Sequence, residues 1–314
     1  MARRPVAAVS VLVWTLTIGY LSAQMPPKGL QVTPEEFEAK LGYQHGTISL
    51  SGGKATLRLP PSFRFIGPEG SRRLLTEAWG NPPGAVGGVL GMLIPAGVSP
   101  LTAEGWGIVI TYEEHGYVND SDAASIDYSK LLKQMQESSI AANAEREKEG
   151  FEPVTLVGWA EPPTYDRAAH KLYWARELAF GTNVNHTLNY CIRILGRRGV
   201  LVLNAVAGMN QVKVISGQTR DVLDAVDFGE GHRYTDYLPG KDKAATYGIT
   251  GLIIGATAAK AGLFKLLWIG ILAFKKAIIV GVIALIAAVK RLFGRGPKQV
   301  PPSPVQSFGE GISH

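Results

Sequence analysis

Only one of the 314 residues is a cysteine, Cys191. A disulfide framework within the chain is excluded, and so is a zinc site built mainly from cysteines. A chain this long buries enough apolar surface to fold without such staples. The lack of disulfides fits a bacterial periplasm and argues against a small secreted module of the disulfide-rich kind. Catalytic signatures are equally scarce. There is no G-x-x-x-x-G-K-[ST] loop, no strand-borne G-x-G-x-x-G and no H-E-x-x-H pair. Neither Ser99 nor Ser125 sits in a Gly-x-Ser-x-Gly elbow. Cys191, between Tyr190 and Ile192 in an apolar run, reads as a small buried hydrophobe rather than a nucleophile. The sequence implies no cofactor and singles out no catalytic residue.

Acid is also missing, but only at the ends. Residues 241–298 carry ten Lys or Arg, from Lys241 to Lys298, against one acid, Asp242. Arg3 and Arg4 add two positive charges at the start, and Glu310 adds one negative charge in the tail. Setting these twelve bases and two acids aside from 32 and 26 leaves 20 and 24 for residues 24–240. That stretch has a net charge of −4, although the whole chain carries +6. An acidic domain joined to a basic, apolar end points to a membrane and away from nucleic acid.

The N-terminus has the layout of a secretion signal over residues 1–23. Arg3 and Arg4 form the positive region, Val6 to Tyr20 the apolar region, and Leu21-Ser22-Ala23 a cleavage site before Gln24, with an uncleaved signal anchor as the alternative because Leu21 is large for that place. Residues 24–240 form the exported soluble domain. A Gly/Ala-rich apolar segment carrying the transmembrane anchor covers 241–293, and a basic, then Pro-rich disordered tail covers 294–314. The apolar run 244–289 would be roughly 70 Å long as helix, more than twice the ~30 Å hydrocarbon core, so it is not one straight span. One span around 270–292, with 244–264 before it as an interfacial helix or a second span, lets Lys275 and Lys276 reach the outer headgroups. It leaves Lys290, Arg291, Arg295 and Lys298 on the cytoplasmic side, as the positive-inside rule prefers. Gly251 and Gly255 have the small-x-x-x-small spacing through which helices approach closely, a route to a homo-oligomer.

Inside the domain the pattern is α+β. Thr33-Pro34-Glu35-Glu36 is a capping box opening a short helix. Alternation on both sides of Gly52-Gly53 marks a β-hairpin. Asp127 caps a long helix whose apolar face is Tyr128, Leu131, Leu132 and Met135. Strand-like runs follow at Val154–Trp159, Lys171–Phe180, His186–Leu195 and Val200–Val206, and an amphipathic helix runs from Met209 to Ala225. The expected architecture is an antiparallel sheet of about seven or eight strands covered by helices, followed by a C-terminal membrane helix or helices.

Several short motifs occur together and in order. They are Gly116-Tyr117-Val118, Asp122-Ala123, Leu131-Leu132, Gly158-Trp159-Ala160, Tyr165-Asp166 and Trp174-Ala175, then Leu188-Asn189-Tyr190, Leu195-Gly196-Arg197, Asp242-Lys243 and Tyr247-Gly248. In this the chain resembles a bacterial family of membrane-anchored proteins, domain-of-unknown-function family 2167, over roughly residues 40–295. The resemblance implies a cell-envelope location and one shared fold, and no activity. The order of strands and helices is also similar to the sandwich domains of photosystem extrinsic proteins, at the level of fold alone.

Two places could carry contacts. Trp159, Glu161, Tyr165, Asp166 and His170 combine aromatics and acids around Pro162-Pro163, in what reads as a kinked loop between two strands and suits a binding rim. Against this, the tryptophans could fill the core and Asp166 could cap a turn. Asp120 and Asp122 supply two oxygens of an Asp-x-Asp cation loop, but Ala124 replaces the next ligand and no closing Glu follows. His115, His170 and His186 show no metal-ligand spacing. Three functional readings follow. The first is a membrane-anchored envelope protein, in the bacterial inner membrane with its domain in the periplasm, binding a protein partner or envelope component. The second is an envelope hydrolase using acids in the loop after Trp159. The third is a membrane-remodelling or transport accessory.

Overall fold

The computed structural model describes residues 33–255, except 82, 103 and 149–151. All of them belong to the first of two units into which the chain divides, Met1–Phe274 and Lys275–His314. The expected signal peptide, membrane span and tail lie outside the described residues. Among the described residues no helix is long and apolar enough to cross a membrane.

The chain begins as its local signals dictate. Helix α1 (Pro34–Ala39) is held by the Thr33–Glu36 capping box, with Glu36 N donating to Thr33 Oγ1 at 3.2 Å and Thr33 N to Glu36 Oε2 at 3.3 Å. After β1 (Tyr43–Gln44) come β2 (Thr47–Leu50) and β3 (Ala55–Arg58), an antiparallel pair joined through Gly52 and Gly53. Both glycines have positive φ, +67° and +87°, which a hairpin this tight requires. Next are β4 (Phe63–Ile66), α2 (Pro68–Arg73), β5 (Val89–Pro95), β6 (Ile108–Glu113) and β7 (Tyr117–Asn119). Helix α3 (Tyr128–Lys148) starts where Asp127 Oδ1 accepts from Ser129 N and Lys130 N at 3.0 and 2.9 Å. Then follow β8 (Val154–Asp166), β9 (Lys171–Phe180), β10 (Thr187–Leu195), β11 (Val200–Gly208), α4 (Val212–Ala225) and β12 (Val226–Phe228), and finally β13 (Ala244–Gly248) and α5 (Ile249–Ile254).

The main sheet has eight strands in the order β1-β4-β5-β6-β11-β10-β9-β8, all antiparallel. Strands β10 and β11 are interior, and every one of their residues is buried. Both faces are therefore covered. On one side Tyr190, Ile192, Leu201 and Leu203 pack with Leu57, Ile215, Val222 and Phe228, so this cover is α4 plus a second sheet ordered β12-β3-β2. Helices alone were expected there. A sheet takes part because β2 and β3 alternate sharply and bury one face only, with Ile48 and Leu50 in and Thr47 and Ser49 out. On the other side α3 and α5 cover Leu172, Trp174, Leu195 and Val202, while Phe37 from α1 and Leu74 and Leu75 from the helical turn after α2 cover Ile66, Met92 and Val109.

Two further expectations change. The stretch after Trp159 is not a loop: β8 continues to Asp166 as the edge strand, with register irregularities through Pro162-Pro163. An edge tolerates proline because one side of the strand needs no donor, and the prolines blunt that edge against further pairing. The first part of β8 is covered by α3, whose Ser139 Oγ and Asn143 Nδ2 donate to Val154 O at 2.8 and 3.0 Å while Val154 N donates to Asn143 Oδ1 at 2.9 Å. The second change is the boundary at 240. Residues 244–254 belong to the fold: β13 pairs in parallel with β7, and Ile249, Leu252 and Ile253 are buried in the core beneath α3. Gly251 is buried in α5, and Gly255 closes that helix in the left-handed conformation, φ +86°. The two glycines serve a helix end here and do not line one continuous helix face.

Candidate functional site

One end of the large sheet collects most of the motifs singled out in the sequence. The β8–β9 turn, the β10–β11 turn, β7 and the segment 229–243 meet there and are stitched by backbone hydrogen bonds. Leu195 N donates to His170 O at 3.0 Å, Gly116 N to Arg198 O at 3.0 Å, Arg197 N to His232 O at 2.9 Å and Tyr117 N to Lys243 O at 2.9 Å.

At its centre four rings stack in one column. Tyr237 lies on Tyr117 with centroids 3.8 Å apart and planes within 11°; Tyr117 lies on Tyr234 at 4.5 Å, and Tyr234 meets His170 at 4.1 Å. The turn before His170 explains its place. Asp166 Oδ1 accepts from Ala168 N and Ala169 N at 2.8 and 3.0 Å, and the chain then needs a left-handed residue, which His170 supplies at φ +54°. That conformation brings its ring back over Tyr234. Tyr234 is pinned in turn, its hydroxyl donating to Val118 O at 3.0 Å.

Polar groups line one flank of the column. Tyr165 Oη donates to Asp120 Oδ2 at 2.8 Å and lies 3.3 Å from His170 Nδ1. Burial, reinforced by the Asp120 bond, pushes the Tyr165 phenol far above its usual range, so it stays a protonated donor. Burial lowers the His170 pKa, against the opposing pull of Asp120 and Asp166, so its ring is neutral at pH 7. The array thus combines phenols, a neutral imidazole and one carboxylate, with Tyr165 bonded to Asp120. What it offers is a rigid aromatic stack, buried at Tyr234 and half-buried at Tyr237, with an oriented carboxylate.

The residues expected to act together are divided. Tyr165 and His170 meet, joined by Asp120, while Asp166 shapes their turn. Trp159 stands on α3, its Nε1 donating to Tyr128 O at 3.2 Å. Glu161 accepts from Ser216 Oγ of α4 at 2.7 Å, so it and Asp166 serve different elements. Asp120 and Asp122 also take different partners: Asp122 caps α5, accepting from Ile249 N and Thr250 N at 2.9 Å each. His115 and His186 pair with Glu113 and Glu177. Among the described residues no group of three His, Cys, Asp or Glu could hold a metal ion. Tyr117, Tyr234 and Tyr237 were not singled out from the sequence. Only Tyr117 sat in a noted motif, and nothing local marks the other two as its neighbours.

Beside the column lies an ion clamp. Asp242 accepts from Arg197 Nε and Nη2 at 2.6 and 3.1 Å, from Arg198 Nε at 3.0 Å and from Leu238 N at 2.8 Å. These bonds hold its carboxyl well below the usual range. A depression of about 400 Å³ opens next to it, lined by Glu114, Gly116, Arg198, Lys241, Asp242 and Lys243.

No curated protein matches the chain. Among solved structures it is similar to the solution structure of cyanobacterial PsbP (CyanoP) from Synechocystis sp. PCC 6803. The identity is 8%, the TM-score 0.33, and the match covers 68% of this chain and 99% of that one. The model of the family described as protein of unknown function (DUF2167) matches residues 42–286, a span that includes the ring column, the ion clamp and α5. The chain therefore belongs to the DUF2167 family.

Proposed function

We propose that this protein is a membrane-tethered envelope protein, held in a bacterial inner membrane with its domain in the periplasm, and that the domain is a binding module. Its working surface is the end of the sheet that carries the ring column. One observation supports this reading above others: four rings from three distant segments stack at one end of the sheet, beside the Asp242 clamp that precedes β13. Tethering raises the local concentration of any envelope partner near such a surface. Rigid stacked aromatics lose little entropy on contact and suit binding. The hydrolase reading has less support, because Glu161 and Asp166 are committed to Ser216 and to a turn.

Two experiments in cells test the proposal. Val184→Cys and Ser303→Cys, each in a Cys191→Ala background, are labelled with a membrane-impermeant thiol reagent. Labelling at 184 and not at 303 supports a single tether with the domain outside, and no labelling at 184 overturns export. A photo-crosslinking residue is then placed at Tyr237, or at Val184 in the turn at the opposite sheet end. A defined adduct from 237 alone supports the working surface, and equal capture at both positions removes it.

A further inference from the structure

The large sheet carries a second polar group of residues, away from the ring column, on the face covered by α3 and α5. Cross-strand register places it. Arg176 is opposite Asn189, Trp174 opposite Cys191, and Cys191 opposite Asn204, so their side chains share one face. Arg193, two residues beyond Cys191, shares that face as well. The strip lies at the border between two apolar clusters, one holding Leu172 and Val202, the other Val109 and Val206.

Two guanidinium groups converge on the position of Cys191. Arg176 Nη2 donates to Asn189 Oδ1 at 2.6 Å and lies 3.7 Å from Cys191 Sγ. Arg193 lies over the Trp174 ring, 5.1 Å from its centroid, and its Nη1 donates to Asn204 Oδ1 at 3.0 Å and to Ile192 O at 2.8 Å. Arg193 is 7% exposed and Asn189 and Trp174 are 1% exposed. Neither arginine has a carboxylate partner among the described residues. Glu113, further along the same face, is bonded to His115. The sequence outside the described residues holds only two acidic side chains, Glu149 and Glu310. Three more buried atoms in the group have no hydrogen-bond partner, Arg176 Nε, Asn189 Nδ2 and Trp174 Nε1, and all three are donors.

A guanidinium does not give up its proton in a protein, so burial cannot neutralise these residues. Buried charge without a counter-charge is costly, and buried donors left unmade add to that cost. A group whose unpartnered atoms are all donors, with two fixed positive charges, is the complement of an oxyanion. Arg176 is half-buried, opposite Trp159 of the edge strand, and gives the strip its access to solvent.

We propose that this strip is a binding site for an oxyanion, a carboxylate or phosphoryl group, held between Arg176 and Arg193 with Asn189 and Trp174 as neutral donors. It is separate from the ring column and does not depend on where the protein resides.

The test uses the full-length chain in a nonionic detergent, titrated by calorimetry with inorganic phosphate or acetate, against chloride at equal ionic strength. Saturable binding of either anion is expected, accompanied by a rise in Tm. Arg176→Gln and Arg193→Gln should each weaken binding at least ~10-fold, the effect of losing one charge-assisted hydrogen bond. Binding of phosphate but not acetate assigns a phosphoryl group; a short-chain phosphatidic acid that then binds more tightly than phosphate assigns a lipid headgroup, and equal affinity assigns free phosphate. Where a Gln variant does not fold, Arg193→Lys keeps the charge and loses the fork, and should fold with weakened binding. The proposal is overturned if neither anion binds saturably, or if folded variants, checked by near-ultraviolet circular dichroism, bind as the wild type does.

Discussion

Asp242 receives two hydrogen bonds from the Arg197 guanidinium, from Nε at 2.6 Å and Nη2 at 3.1 Å, and its side chain is 1% exposed. It is the one acid between residues 241 and 298. A bidentate pair fixes direction as well as distance, so this contact ties the segment that becomes β13 to the β10–β11 turn. Asp242→Asn keeps the size and loses the charge, leaving Arg197 and Arg198 without their carboxylate. Its Tm should fall clearly in a thermal melt, whereas Arg197→Lys, which keeps a charge and loses the fork, should fall less. An unchanged Tm for Asp242→Asn would mean the clamp is incidental.

Acid should loosen this end in two stages. His170 is lowered from 6.5 by burial, so the unfolded chain binds the proton more readily than the fold. Its stabilising contribution is complete above pH 6.5 and is lost as pH falls below that value. Asp242 is held below its usual 3.8, so its contribution is complete above 3.8 and is lost only at lower pH. Urea midpoints measured against pH should drop first in the upper window and again in the lower one. His170→Asn, which tolerates the left-handed backbone, should remove the first drop only.

The ring column can be weighed by subtraction. Tyr234→Phe keeps the ring and loses the hydroxyl bond to Val118 O, which should cost about 1 kcal/mol in chemical denaturation, with Val118 O left buried. Tyr117→Leu removes the ring that touches both Tyr234 and Tyr237 and should cost more, since each aromatic pair contributes about 0.5–1.5 kcal/mol beyond its area. If the two variants lose equally, the stacking carries no energy of its own.

Gly116 admits β13 beside β7. Its φ is +92°, and an added Cβ would stand 2.6 Å from Lys243 O. Gly116→Ala must push the 242–244 segment away, at a cost of about 1–3 kcal/mol. Faster amide exchange in β13 and α5 than in β10 would locate the damage, and uniform exchange would show that the junction is not the weak point.

Asn143 of α3 covers the start of edge strand β8 by bonding both backbone groups of Val154. Asn143→Ala leaves Val154 N without its side-chain acceptor, while Val154 O keeps Ser139 Oγ, at about 1–3 kcal/mol. The bared edge should also raise self-association, which sedimentation velocity would register. A variant of wild-type stability that stays monomeric would refute the covering role.

Much of the fold was legible because its signals are local. The Thr33–Glu36 box, the Gly52-Gly53 hairpin, the Asp127 cap and the apolar runs of β10 and β11 each need only neighbouring residues to act. The strand character of β10 and β11 followed from their composition, whereas burial of Asn189 and Arg193 on β10 came from its interior place in the sheet. The candidate site was legible in part. Tyr165, Asp166 and His170 lie within one turn, so a single stretch of sequence brings them close together.

The rest required the chain to come together in three dimensions. Residues 244–254 read as part of a membrane segment, since a domain core and a bilayer select the same apolar residues; only packing beneath α3 distinguishes them. Strands β7 and β13 are too short to carry a periodic signal and pair across more than a hundred residues. Asp122 resembled a cation ligand until α5 placed two backbone donors against it. The column of Tyr237, Tyr117, Tyr234 and His170 draws on three distant segments, and ring stacking leaves no mark on spacing. Composition and local pattern determined which elements form and which are buried. Tertiary structure decided which side chains share an end of the sheet, because that depends on strand order and register rather than on any one segment.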